Sequence, residues 1–93
     1  MKYVDWDSKK NEQLKREREI SFEEAVIAIE EGNLLDVIKH PTKKKYPNQK
    51  LFVVNIHNYA YLIPFVEDEE KYFLKTMFPS RKMTRKYIVK KNI

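Results

Sequence analysis

The chain contains no cysteine, a single glycine and, beyond Lys71, no acidic residue. Without cysteine there is no disulfide framework and no thiolate metal site, a composition that fits a reducing compartment. One glycine cannot build the phosphate-cradling loop of a nucleotide hydrolase. The two histidines, His40 and His57, lie on separate elements without an i+4 partner, so no zinc-ligand spacing exists either. A serine or cysteine hydrolase constellation is equally missing, and no cofactor is expected. The longest apolar run, Tyr59 to Val66, is interrupted by Pro64 and is far too short to span a bilayer. The opening residues carry Asp5 and Asp7 where a signal peptide needs an apolar stretch. The expectation is a cytoplasmic protein with no membrane association.

What the 93 residues do hold is aromatic bulk and segregated charge. Five Phe, six Tyr and one Trp can thicken the thin core that a single domain of this length builds. The net charge is +5, but the acids gather around Glu19 to Glu31 and at Glu67-Asp68-Glu69-Glu70. Bases crowd residues 39 to 50, with Lys43, Lys44 and Lys45 in succession, and the C-terminal part, with Lys75, Arg81, Lys82, Arg85, Lys86, Lys90 and Lys91. Such segregation suits a surface that meets a polyanion; a merely solvated surface is the alternative.

Residues 1 to 6 alternate loosely and read as a short strand or arm anchored by Trp6. Asp7 or Ser8 can cap a first helix whose main apolar contact is Leu14. Ser21 and Glu24 form a capping box ahead of Phe22, Ala25, Val26 and Ile29, an i, i+3, i+4, i+7 stripe that ends at Gly32. The period then changes. Leu34 to Lys39 suggests a short strand. Leu51 to His57 and Tyr59 to Val66 suggest a hairpin turning at His57-Asn58, and Pro64 requires a free edge or a bulge. Tyr72 to Phe78 reads as one further strand, with Tyr72, Leu74, Thr76 and Phe78 on one face and Phe73, Lys75 and Met77 on the other. Ser80 can cap a last basic helix from Arg81 to about Ile88. The predicted class is α+β: two N-terminal helices on one face of an antiparallel meander of three to four strands, a short basic helix at the end, and the second face of the sheet open to solvent.

Cleavage of RNA demands little apparatus, because the 2′-hydroxyl already stands beside the phosphorus. A protein must position the backbone, help move a proton and stabilise the phosphorane, which lysine and arginine do electrostatically. Arg81, Lys82, Lys75 and His57 are the candidates for that chemistry. Arg85, Lys86, Lys43, Lys44, Lys45, Thr84 and Tyr87 are the candidates for holding RNA, with tyrosines available to stack bases.

Two stretches sharpen the reading. Asp5-Trp6-Asp7 with Lys10-Asn11 and Leu14, followed by Ile20-Ser21-Phe22-Glu23-Glu24-Ala25, resembles the opening of BrnT-type toxins of type II toxin–antitoxin pairs. Phe78-Pro79-Ser80-Arg81-Lys82-Met83-Thr84-Arg85-Lys86-Tyr87 resembles the arginine-rich close of that family. The middle of the chain departs from the family's glycine-containing hairpin. The resemblance implies a RelE-like ribonuclease fold, cleavage of RNA that halts translation, and a DNA-binding antitoxin as partner in a hetero-oligomer. By position it carries the family's basic pair and threonine onto Arg81, Lys82 and Thr84. A non-catalytic nucleic-acid module and a protein-interaction domain are the competing classes.

Overall fold

The computed structural model describes residues 2–42 and 44–89, in the order β1 (Tyr3–Trp6), α1 (Ser8–Arg18), α2 (Phe22–Glu30), β2 (Leu34–Lys39), β3 (Gln49–Ile56), β4 (Tyr59–Glu67), β5 (Lys71–Leu74), β6 (Phe78–Pro79) and α3 (Arg81–Tyr87). None of the helices is long and apolar enough to cross a membrane.

Local chemistry sets the helix ends. The Asp7 side chain accepts from the Lys9 N–H at the start of α1, and Ser21 and Glu24 close the capping box of α2. Gly32 follows α2 with φ +88°, a conformation that costs glycine little. α1 is polar over most of its surface and would not persist alone. Asn11, Leu14 and Arg18, spaced i, i+3 and i+7, hold it down. Leu14 is buried, and the Arg18 guanidinium donates to the Met77 carbonyl. The Asn11 amide oxygen accepts the Phe22 N–H at 2.8 Å while its nitrogen donates to Glu23 Oε1 at 2.7 Å. Asn11 therefore splices the two helices together, and it holds the Glu23 carboxyl below its ordinary range. Replacing Asn11 with alanine strands the buried Phe22 N–H and should cost about 2 kcal/mol in denaturant unfolding.

The sheet runs β1-β5-β4-β3-β2, with β6 also paired to β4. The expected meander of three to four antiparallel strands is corrected in two respects. Six strands are present among the described residues, and β1 joins β5 in parallel, Tyr3 opposite Lys71 and Trp6 opposite Leu74. A pairing between strands so far apart in sequence leaves no local signature. The His57-Asn58 hairpin stands where the sequence puts it, with φ values of 54° and 63° at the two turn residues, as a two-residue hairpin loop requires.

The single strand expected from Tyr72 to Phe78 is in fact two. Leu74 pairs with Phe65 and Phe78 with Leu62, so three residues, Lys75 to Met77, face only Ile63 and Pro64. The extra residue is a bulge. Its cause is opposite: the Lys75 N–H donates to the Pro64 carbonyl at 2.8 Å, so the backbone of Pro64 faces this neighbour, and its missing N–H leaves the return bond unmade. The bulge also reverses the alternation. Met77, expected on the face away from Leu74, shares its core and is fully buried.

α1 and α2 cover the face carrying Phe52, Val54, Ile56, Ile63, Phe65 and Leu74, with Trp6 against Phe22 at 5.6 Å between ring centroids. The second face is not open, contrary to expectation. α3 begins beside Ala60 on β4 and ends at Asp36 on β2, crossing the strands on the side of Val53, the cross-strand partner of Asp36. The chain is thus three layers thick, with the two N-terminal helices and α3 on opposite sides of one sheet.

Candidate nucleic-acid surface

α3 is only seven residues long, so its position rests on its attachments. Ser80 caps it by accepting the Met83 N–H, and the Ser80 N–H donates to the Ala60 carbonyl at 2.9 Å. The Thr84 hydroxyl accepts the Ala60 N–H at 2.9 Å and donates to the Ser80 carbonyl at 2.8 Å. The Tyr87 hydroxyl donates to Asp36 Oδ2, whose other oxygen accepts the Val37 N–H. Thr84 is buried and Tyr87 half-buried, so both spend their polar atoms fastening the helix.

With Met83, Thr84 and Tyr87 turned inward, helical spacing leaves Arg81, Lys82, Arg85 and Lys86 on an outer arc of about 140°. All four are exposed, and none has a carboxylate within ion-pair distance among the described residues. By contrast Lys2 and Lys71 are neutralised by Glu67 and Asp5. Lys75 is exposed on the bulge beside β5, its ammonium 5.5 Å from the Phe73 ring centroid. Phe73 is paired with Val66 on the same side of the sheet as α3, which continues the cationic surface toward β5.

The remaining sequence candidates lie elsewhere. His57 is 85% exposed in its side chain, and its Nε2 sits 3.6 Å from Glu24 Oε1. That directs the imidazole to the α2 side, away from α3. Lys44 and Lys45 are exposed in the β2–β3 connection, where the Lys45 ammonium lies 5.4 Å from the Tyr46 ring. That connection leaves the sheet at the Lys39–Lys50 pair, the end opposite the His57 hairpin and the start of α3. Lys43 lies outside the described residues. The fold therefore gathers Arg81, Lys82, Arg85 and Lys86 and separates them from His57 and the lysine run. Asp36, which no sequence pattern singled out, anchors the far end of the cationic helix. Its only prior signal was an acid among the apolar residues Leu34 to Ile38.

The Asp36–Tyr87 bond has a pH signature. The Tyr87 hydroxyl first, and then the Val37 N–H, hold the Asp36 carboxyl below its ordinary range, and the same bond raises the Tyr87 phenol. The lowered carboxyl stabilises the folded chain above the ordinary aspartate range and loses that contribution as pH falls through its lowered value. The raised phenol contributes below the ordinary tyrosine range and fails as pH rises through its raised value. Chemical shifts in α3 followed against pH should show a neutral plateau with two limbs. In Tyr87→Phe, the alkaline limb should vanish and the acid limb should move toward the ordinary aspartate range.

No family model matches the chain, and neither a curated protein nor a solved structure is significantly similar to it.

Proposed function

We propose that this chain is the toxin of a BrnT-type toxin–antitoxin pair, an endoribonuclease whose RNA surface is the outer side of α3. The observation that carries the reading is the arc of four unpaired cations on a helix clamped to the sheet at both ends. Free arginines and lysines on a rigid support can bind RNA phosphates and stabilise the charge that develops when a 2′-hydroxyl attacks phosphorus. In that step the 2′-oxygen bonds to phosphorus, its proton leaves to a base, and the 5′-oxygen departs with a proton. Arg81 and Lys82 carry the electrostatic part, and Arg85, Lys86 and Lys75 extend the track along the backbone. The motif resemblance at both ends of the chain supports the family, and the α+β architecture with a closing basic helix is compatible with a RelE-like fold. A DNA-binding antitoxin would neutralise the toxin in a hetero-oligomer.

A second reading, a nucleic-acid-binding module without catalysis, draws on one observation: the His57 imidazole stands on the α2 side and offers no proton acceptor at α3. One experiment separates the two. The wild-type chain and an Arg81→Ala/Lys82→Ala variant are induced in a bacterial host without a partner, and total RNA is examined. Growth arrest with RNA fragments from wild type alone, the variant being soluble and folded, supports the toxin. Intact RNA and normal growth with soluble wild-type protein overturns it and leaves the binding module.

A further inference from the structure

α3 covers only part of its own side of the sheet. It is tied to β4 at Ala60 and to β2 at Asp36, whereas β5 and β1 lie beyond β4 at the other edge. Side chains alternate along a strand, so Lys71 shares the α3 side with Phe73, the partner of Val66. The Lys71 ammonium locates the rest of that surface. It pairs with Asp5 Oδ2 at 3.1 Å and lies 5.9 Å from the ring centroids of both Tyr3 and Phe73. Tyr3 and Asp5 of β1 therefore face the same way. Lys75 closes the row, its ammonium 5.5 Å from the Phe73 ring centroid.

Tyr3, Lys71, Phe73 and Lys75 thus alternate ring and cation on the side of the sheet that carries the four α3 cations. No helix covers them among the described residues. Phe73 is half-buried, and Tyr3, at 58%, is the one aromatic residue left exposed among those described. The tyrosines of the strands are spent elsewhere: Tyr61 and Tyr72 pack against the core beneath α1 and α2. Asp5 fixes Lys71 and cancels its charge, so what this row adds to the α3 arc is chiefly its two rings.

We infer that Tyr3 and Phe73 form a stacking platform for unpaired bases of single-stranded RNA, with Lys75 holding a neighbouring phosphate. The proposal rests on the RNA reading of α3 and narrows its substrate to single strands. An aromatic face accepts any base, and only an unstacked base can reach it, so a duplex gains nothing here. An acidic protein segment would meet Lys75 and the α3 cations but leave the rings without a partner.

The test uses the full chain, a single-stranded RNA oligonucleotide carrying a fluorescent purine analogue that stacking quenches, and a hairpin duplex of the same length. Wild type should quench the analogue and bind the single strand more tightly than the duplex. Tyr3→Ala should weaken single-strand binding about tenfold, leave duplex binding unchanged and keep the salt slope, because the ring carries no charge. Tyr3→Phe should behave as wild type. If Tyr3→Ala loosens β1, Tyr3→Leu, which keeps the bulk without a π-face, should show the same loss, and so should Phe73→Leu. Equal affinity for the two RNAs, an unquenched analogue, or Tyr3 and Phe73 variants that bind as wild type does would each overturn the proposal. Where wild type binds RNA with the salt slope of the α3 cations and these variants change nothing, this inference falls alone. Where wild type binds no RNA, the RNA reading falls with it.

Discussion

Affinity for single-stranded RNA should fall about fiftyfold when monovalent salt rises from 50 to 200 mM. Each phosphate neutralised on a single strand contributes a slope of about −0.7 in log affinity against log salt, so four cations give roughly −2.8. The four are Arg81, Lys82, Arg85 and Lys86, which share one exposed arc of α3. In Arg81→Ala/Lys82→Ala the slope should halve, and the same salt change should cost only about sevenfold. Fluorescence anisotropy of a labelled oligonucleotide measures both slopes. A variant slope equal to wild type would place the RNA surface elsewhere, with the lysines of the β2–β3 connection the next candidates. Both side chains lie on the solvent side of the helix, away from Thr84 and Tyr87, so little stability is at stake in the substitution.

The largest loss of stability should come from Phe22→Ala, at about 3–5 kcal/mol. Phe22 is fully buried, packs against Trp6 and opens α2 immediately after its capping box. A domain of this length has a total stability on the order of 5–15 kcal/mol, so the variant would sit near its unfolding threshold. Urea denaturation followed by Trp6 fluorescence should show a lower midpoint with an unchanged slope. A shift below about 1 kcal/mol would mean that α1 and α2 close over the void, and that the Asn11 splice rather than Phe22 sets their docking.

Elements built from local chemistry were legible in the sequence. Ser21 with Glu24 begins α2, Gly32 ends it, and the two-residue turn at His57-Asn58 closes the hairpin. Each rests on contacts within a few residues of chain. The parallel pairing of β1 with β5 rests on partners more than sixty residues apart, and periodicity does not encode it. Pro64 announced an irregularity but not which neighbour would absorb it; that depended on which side of β4 its backbone faces. The surface divides the same way. Helical spacing from Arg81 to Lys86 is enough to put four cations on one arc, given Ser80 as cap. Placing His57 and Lys44 away from that arc required the topology of the sheet, which spacing along the chain does not record. Thr84 and Tyr87, polar residues within a basic helix, read as ligand contacts in sequence and serve in the fold as fasteners.

The extra residue between Leu74 and Phe78 has a further consequence for the chain's tolerance of change. It is slack taken up while the strand passes Pro64. Removing one residue from Lys75–Met77 would leave two residues opposite Ile63 and Pro64, a regular ladder that keeps Leu74 with Phe65 and Phe78 with Leu62. α3 would then stay on its own side of the sheet, and the change would act on the local bend and twist of the strand. Like the β2–β3 connection, this stretch can lose a residue without altering which layer anything belongs to.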